Sequence, residues 1–548
     1  MRTKHYVAPG MYGFLLIVFF VFGGCDESKS VSLPSSAETN QSLRDASIHF
    51  LRGQLAPSGA ASSEAVPENL SLSGGWAAEV KFYAQGQLQG EGTGSRDVLA
   101  EALCAALKAW KTNTAVDWHD AQTMRRGRFF VTLHATGQSP FSFVEYEGGG
   151  KEIVGDLVAT YTVDTNLLRE KILAGRDYLL RIINKDRHAF FKRFDAATGI
   201  PDARLRTIYT ASCLYTLLKM YDLTHDPAIR EQIPPITRFL LSMQNTSPEH
   251  RGAFHYSCNE KTGEKENTFV VGTASKTIFA LLELYQRTRN PADLSSARSA
   301  GDWLLSMQRP NGTIVNRVRR VNGVWKSKEL FSTLYAGQVV SALSRLYGVT
   351  NDVRYLQGAE KTVGILLRRA ETTHYFLQDD YRHPTDPIPT TWAVQSLLDF
   401  YKVSKRQDVK IACLRCARAV LARQHTDPSD VENYGRFKGT RATSGNGWIL
   451  EVFMELYRYA RGAGWENCEP YKTAAVCVAR WLIQNTYSPE NTYFLEHGPE
   501  VMGGLIRSNR EESVRTDAVC HGSNGYMLLL MCTKPGVLLS IPETVSYP

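Results

Sequence analysis

TFVVGTASKTIFALLELYQRTRNPADLSSARSAGDWLLSMQRPNGT, residues Thr268 to Thr313, reads as a helical hairpin and sets the pattern for most of the chain. Val271, Ala274, Ile278, Leu281, Leu282 and Tyr285 recur at three- and four-residue spacing, which lines them along one face of a helix. Arg289-Asn290-Pro291 ends that helix, because proline lacks an N–H and restricts the residue before it. A second helix begins near Asp293, runs through Ala297, Ala300 and Trp303-Leu304-Leu305, and stops at Gln308 ahead of Pro310-Asn311-Gly312.

The pattern recurs. Inner-type helices rich in Ala, Gly, Ser and Thr start near Thr207, Phe269, Phe331, Thr390, Gly445 and Thr516, an irregular spacing typical of divergent helical repeats. Several close alike, on Met220-Tyr221-x-x-Thr224, Leu284-Tyr285-x-x-Thr288 and Leu346-Tyr347-x-x-Thr350, with Phe400-Tyr401 and Leu456-Tyr457 in the same place. Outer-type helices over roughly 164–184, 226–243, 292–308, 351–370, 407–424 and 469–486 precede them, several ending on Leu-Leu plus Gln. The expected fold class is mainly α, an (α/α)6 toroid over 162–534 behind a small α/β domain over 74–161, with a tail over 535–548.

Inner-to-outer turns are mostly short, whereas each outer-to-inner connection is expected to run to about twenty residues or more, so the long loops share one rim. Each delivers the N-terminus of an inner helix, whose unpaired N–H groups and partial positive charge point at the axis and suit an anionic ligand.

The repeat architecture from about Asp164 onward resembles the six-hairpin toroid superfamily, which includes unsaturated-uronide hydrolases, sugar epimerases, glycosidases and, more distantly, lanthionine cyclases. That resemblance implies a carbohydrate substrate and side-chain acid–base chemistry in the toroid cavity, with no cofactor.

The beginning of the chain carries Arg2 and Lys4, an apolar run from Phe14 to Phe22, and Gly23-Gly24-Cys25, the pattern of a secretory signal over 1–24. Small residues directly before a cysteine resemble the lipobox of bacterial lipoproteins, which implies lipidation of Cys25, a membrane partner through that anchor, and a tether over 25–73. Asp26 after the lipidated cysteine implies, by the same resemblance, the periplasmic face of the inner membrane rather than the outer membrane. The formal net charge of +8 is modest for 548 residues and, behind an export signal, implies no nucleic-acid partner. Nine cysteines remain after Cys25, an odd number that argues against a full disulfide framework, and Cys413-Leu-Arg-Cys416 reads as helix packing.

In the small domain, AAEVKFYA, RFFVTLHA and FSFVEY read as strands and Arg96 to Trp110 as an amphipathic helix. The glycine-rich GQLQGEGTGS before that helix lacks the lysine and serine of a P-loop and reads as a turn.

Two rim segments hold the candidate chemistry. His374-Tyr375-Phe376-Leu377-Gln378-Asp379-Asp380-Tyr381-Arg382-His383 gathers carboxylates, imidazoles and aromatics, so Asp379 and Asp380 are candidate acids and bases and Tyr381 a stacking or relay residue. Arg515-Thr516-Asp517-Ala518-Val519-Cys520-His521 opens the last inner helix, where Asp517 and His521, four apart, share a face as a proton-transfer pair with Arg515 as a carboxylate clamp. The alternative is an N-capping Thr516 or Asp517 and a hydrogen-bonded core histidine. His374, Tyr375, Trp325, Glu432, Tyr434 and His497 complete the candidate substrate-binding set.

Cys520-His521-Gly522 followed by Gly525 matches the Cys-His-Gly-x-x-Gly signature of lanthionine cyclases. That resemblance implies an alternative zinc-dependent thiol enzyme with Cys520 and His521 as ligands, although no cysteine stands at the matching place in Ser444-Gly445-Asn446-Gly447-Trp448. A third reading is a non-catalytic glycan-binding or envelope-assembly lipoprotein.

Overall fold

The computed structural model describes residues 37–55, 66–84, 87–119, 124, 128–138, 140–145 and 162–547, less 197, 328–329, 428–429, 431–432, 489–491, 493–496, 509–510, 536, 538 and 541–546. The signal and Cys25 lie outside the described residues, and no helix among those described is long and apolar enough to cross a membrane.

Two separate cores form. The smaller belongs to a four-stranded antiparallel sheet in the order β2-β1-β3-β4, from Gln87–Val98, Ser73–Ala84, Arg128–Ala135 and Phe141–Val144. Trp76, Ala78, Val80 and Phe82 alternate along β1 into the core, against α2 (Leu99–Asn113). The glycine-rich segment is not a turn but strand β2: a Cβ at Gly92 would stand 2.2 Å from the Ala106 carbonyl, so only glycine lets α2 lie on the sheet. Part of the expected tether also belongs here. Helix α1 (Ala37–Gly53) buries Leu43 and Leu51 in this core, and Arg52 forms a bidentate pair with Glu145 at 2.5 and 2.7 Å.

The larger core is the toroid. Six inner helices, α4 (Thr207–Thr224), α6 (Val271–Thr288), α8 (Thr333–Thr350), α10 (Ile388–Ser404), α12 (Thr443–Gly462) and α14 (Thr516–Met531), each pack on the next, and α14 packs back on α4. Outside them stand α3 (Thr165–Arg181), α5 (Pro227–Ser242), α7 (Pro291–Ser306), α9 (Val353–Thr372), α11 (Gln407–Leu421) and α13 (Glu469–Gln484). Each outer helix from α5 onward packs chiefly on the inner helix that precedes it, and α3 packs on α14, so the first helix of the toroid completes the last hairpin. Two strand pairs close the same seam: β5 (Thr162–Val163) with β8 (Leu539–Ser540), and β6 (Arg193–Phe194) with β7 (Glu511–Arg515).

The recurring Tyr-x-x-Thr ending is a turn device. In α6, Thr288 Oγ1 donates to the Leu284 carbonyl at 3.0 Å and accepts from Asn290 N–H at 3.2 Å, while Asn290 Oδ1 caps α7 by accepting from Ala292 N–H. His225, Arg289, Asn351 and Lys405 take φ between 53° and 57° and return their N–H to Tyr221, Tyr285, Tyr347 and Tyr401. The left-handed residue costs about 1–2 kcal/mol without glycine, and cap plus turn bonds of about 1 kcal/mol each offset it. The glutamines closing outer helices stitch the ring: Gln244 Nε2 donates to the Ser296 carbonyl in α7, Gln308 Nε2 to Gly358 in α9, and Gln424 Nε2 to Ala474 in α13.

The outer-to-inner connections share one rim, but the fourth, residues 373–387, is shorter than expected because α9 runs on to Thr372. The Cys-His-Gly-x-x-Gly segment proves to be a helix contact. A Cβ on Gly525 would stand 2.3 Å from Leu450 Cγ of α12, so the glycine sets the closest approach of the fifth and sixth inner helices. Gly525→Ala is expected to lower unfolding free energy by about 1–3 kcal/mol through overpacking, while Gly462→Ala, with nothing within 4 Å of its Cβ, is expected to be neutral or stabilising in the same urea titration.

Candidate functional site

The six inner-helix N-termini open onto a cavity of about 330 Å³ on the toroid axis. Tyr209 and Ser212 of α4, Lys276 of α6, Tyr335 and Gln338 of α8, Trp392 of α10, Trp448 of α12, and Asp517 and His521 of α14 line it, with Tyr256, Arg382 and Arg515 from the rim. Trp392 and Trp448 stack at 4.0 Å between ring centroids, 23° from parallel, and form one wall.

His521 and Glu451 are a buried dyad. His521 Nδ1 and Glu451 Oε2 are 2.6 Å apart, and Asn524 Nδ2 donates to Glu451 Oε1 at 3.1 Å. The hydrogen bond from His521, with its charge and that of Lys276, outweighs burial and holds Glu451 below the usual carboxylate range. A carboxylate only accepts, so the imidazole donates from Nδ1 and its Nε2 is left for the cavity. Trp448 lies edge-on to the imidazole at 5.0 Å.

Asp517 and Arg515 are also paired, by Nε to Oδ1 at 3.0 Å and Nη2 to Oδ2 at 2.6 Å, and Arg515 Nη2 donates to Tyr209 Oη at 3.0 Å. Arg515 and the hydrogen bonds overcome burial and depress the Asp517 pKa. The guanidinium expected to clamp a substrate carboxylate thus already holds one from its own chain.

Lys276 differs. Its Nζ sits 4.9 Å from the centroid of Trp392 and 4.8 Å from that of Trp448, and among the described residues no acceptor lies within hydrogen-bond or ion-pair distance of it. Burial pulls its pKa from 10.5 to about 8, with Glu451 opposing the shift. Two further polar atoms in the wall lack partners among the described residues, the donor Trp448 Nε1 and the acceptor Gln338 Oε1.

Below this floor the axis stays charged: Arg345 and Lys402 pair with Asp399 at 2.9 and 3.2 Å, and Glu455, held down to about 2 chiefly by Lys219 against its burial, meets Arg458 at 3.1 Å. These groups line a second cavity of about 610 Å³ at the opposite mouth. It is larger, but each of its charged groups is ion-paired, so it offers no uncommitted acid or base.

Of the sequence-derived candidates, Asp517, His521 and Arg515 meet in the axial cavity. Asp379 and Asp380 do not line it. Asp379 accepts from Ser332 Oγ at 2.6 Å, Leu334 N at 3.0 Å and Tyr381 N at 2.9 Å, and Asp380 accepts from Phe331 N at 2.9 Å, so both carboxylates fasten their loop to the start of α8. Tyr381 packs edge-on against Tyr335 at 6.0 Å beside the cavity. His374 and Tyr375 turn the chain at the end of α9, where Tyr375 Oη accepts from Arg415 at 2.6 Å. Tyr434 is buried away from the cavity against Arg480 of α13, Trp325 stacks on Phe269 at 5.1 Å farther out on the rim, and His497 packs over Gly199. Glu432 lies outside the described residues.

The zinc alternative rests on Cys520 and His521. Cys520 Sγ lies 3.5 Å from Cys213 Sγ, His521 Nδ1 is taken by Glu451, and among the described residues no three His, Cys, Asp or Glu side chains converge as ligands. This donor set does not fit a zinc ion.

Lys276 and Glu451 escaped the sequence reading, although a signal was present: each is the one charge in the apolar and small-residue first half of its inner helix, residues 271–279 and 443–452. Lys276→Met tests the cost of that burial. Between pH 8 and 10.5 the unfolded chain binds a proton the folded chain lacks, so stability rises with pH across that window and the penalty is complete below it. The variant is expected to be more stable than the parent by about 1–3 kcal/mol at pH 7, with the gap closing toward pH 10 in thermal melts.

No family model and no curated protein sequence matches the chain. Solved structures do. Cellobiose 2-epimerase from Bacillus thermoamylovorans superposes with a TM-score of 0.55 at 12% identity, covering 67% of this chain and 99% of that one. A D-mannose isomerase gives 0.52 at 12% identity over 67% and 98%, and a family 76 α-mannanase from Bacteroides thetaiotaomicron gives 0.50 at 12% over 66% and 94%. The chain therefore has the six-hairpin (α/α)6 toroid fold of these proteins, behind its small α/β part.

Proposed function

We propose that this protein is an enzyme that acts on a carbohydrate by moving a proton at a carbon next to the sugar carbonyl, the reaction of an epimerase or isomerase. One observation carries the reading. The acid–base groups left uncommitted on the axial cavity are an imidazole backed by a carboxylate and a lysine, while Asp517, the one carboxylate lining it among the described residues, is held ionised by Arg515. Glycoside hydrolysis by the usual route needs two carboxyl groups, one kept protonated, across the scissile bond. Proton transfer needs a base near neutrality within reach of a C–H and positive charge beside the oxygen that becomes an enolate.

In this reading Nε2 of His521 takes the proton from C2 of an open-chain sugar, Glu451 steadies the imidazolium that results, and the inner-helix N-termini favour the developing oxyanion. The tryptophan wall and three tyrosines offer faces for the sugar C–H groups. Arg382 is paired with Asp386 at 3.0 Å and Arg515 with Asp517, so Lys276 is the cation that favours an acidic sugar. The likeness to an epimerase and an isomerase agrees with this reading through the shared fold.

The test is proton NMR in deuterated buffer with D-mannose, cellobiose and D-glucuronate. Deuterium is expected to enter at C2 together with epimer or ketose, and His521→Ala is expected to slow this by about 10²–10⁴-fold. Release of reducing ends from glycosides with no deuterium entering carbon would replace the proposal with a hydrolase. We also propose that the enzyme is held at a membrane by lipid on Cys25, supported by the lipobox-like Gly23-Gly24-Cys25. Cys25→Ser is expected to move the protein from the membrane to the soluble fraction and abolish labelling by radioactive palmitate.

A further inference from the structure

We propose that Lys276 is a nucleophile that forms an imine with the carbonyl carbon of the open-chain sugar, an inference that rests on the proton-transfer reading of the same cavity. Its position is the first argument. The side chain leaves the second turn of α6 toward the axis and lines both the cavity and the small space of about 20 Å³ beneath it. Its amine stands near two tryptophan faces, with Phe279 at 5.8 Å and no acceptor among the described residues. The nearby anion Glu451 is already bound through both oxygens, to His521 and Asn524.

A second argument is energetic. A lysine placed here to pack would serve better as methionine, and one placed to neutralise Glu451 would touch it, as Arg345 and Lys402 touch Asp399 lower on the axis. Desolvation by the indoles also leaves part of the lysine as free amine near neutral pH, the form that attacks carbonyls.

The chemistry balances. The amine lone pair adds to C1, the C–N bond forms as the carbonyl π electrons become an alkoxide that takes the amine's proton, and loss of that hydroxyl as water, with one proton from solvent, gives a protonated imine. His521 and Lys276 flank the indole of Trp448, at 5.0 Å and 4.8 Å. His521 takes the C2 proton while the C–H electrons move toward the iminium nitrogen as an enamine. Return of a proton to the other face of C2 and addition of one water release the epimer and the lysine, with no net redox change.

The experiment incubates the full chain with D-glyceraldehyde or with D-mannose and sodium cyanoborohydride, then maps modified lysines by peptide mass spectrometry. The expected result is an adduct of one sugar less one oxygen atom at Lys276, at least about tenfold above any surface lysine, as suits an amine of lowered basicity. In Lys276→Arg, which keeps the charge and forms no imine, the adduct and the C2 deuterium exchange are both expected to vanish while the thermal melt stays cooperative. No adduct at Lys276 from either probe overturns the proposal, and continued deuterium exchange in that case leaves the proton-transfer reading standing. An adduct without deuterium exchange supports the imine and removes the epimerase reading instead.

Discussion

Charge carried into the middle of a closed ring of helices is the constraint on which this structure turns. Each inner helix places a column of residues at three- and four-residue steps along the axis, such as Trp448, Glu451 and Glu455 on α12, or Asp517, His521 and Asn524 on α14. An ion in such surroundings is tolerable only when paired and hydrogen-bonded. The lower axis obeys this through Arg345, Asp399, Lys402, Glu455 and Arg458. Toward the rim the rule is relaxed, among the described residues, at Lys276, and the proposed chemistry rests on that departure.

The two ends differ because all the inner helices point the same way. Their N-termini, with unpaired N–H groups, converge at the rim, so the potential there favours anions and developing oxyanions and disfavours a further cation. That direction agrees with ionised Asp517 and Glu451 and with an amine of reduced basicity at Lys276. The short-turn end has the opposite polarity, and its cavity is lined by ion pairs that close on one another. Size therefore does not pick out the site; uncommitted chemistry does.

Several motifs acquire a different meaning once neighbours are known. Gly525 of the Cys-His-Gly-x-x-Gly segment lets α14 lie against α12, and the same helix pair places His521 opposite Glu451. The acidic loop around Asp379 and Asp380 behaves likewise. Its carboxylates satisfy N–H groups at the start of α8, one turn ahead of the cavity-lining Tyr335 and Gln338, without touching the cavity.

The hairpin register, the Tyr-x-x-Thr turns and the alternation of inner and outer helices were legible in the sequence, because they depend on interactions within a few residues: helical periodicity, proline at a helix start, and a threonine or asparagine capping its own neighbours. That Asp517 and His521 share one helix face was legible for the same reason, being one helical turn apart, but not that Asp517 is held by Arg515 and His521 by Glu451. Three things needed the tertiary structure. Glu451 and His521 come from different repeats, and Lys276 lies far from both in sequence, so ring closure alone brings them together. Asp379 looks identical in sequence whether it caps a helix or takes a proton, and only its three donors decide. The glycine-rich strand β2 carries no side-chain pattern of its own, and it became a strand because α2 required a surface without Cβ atoms.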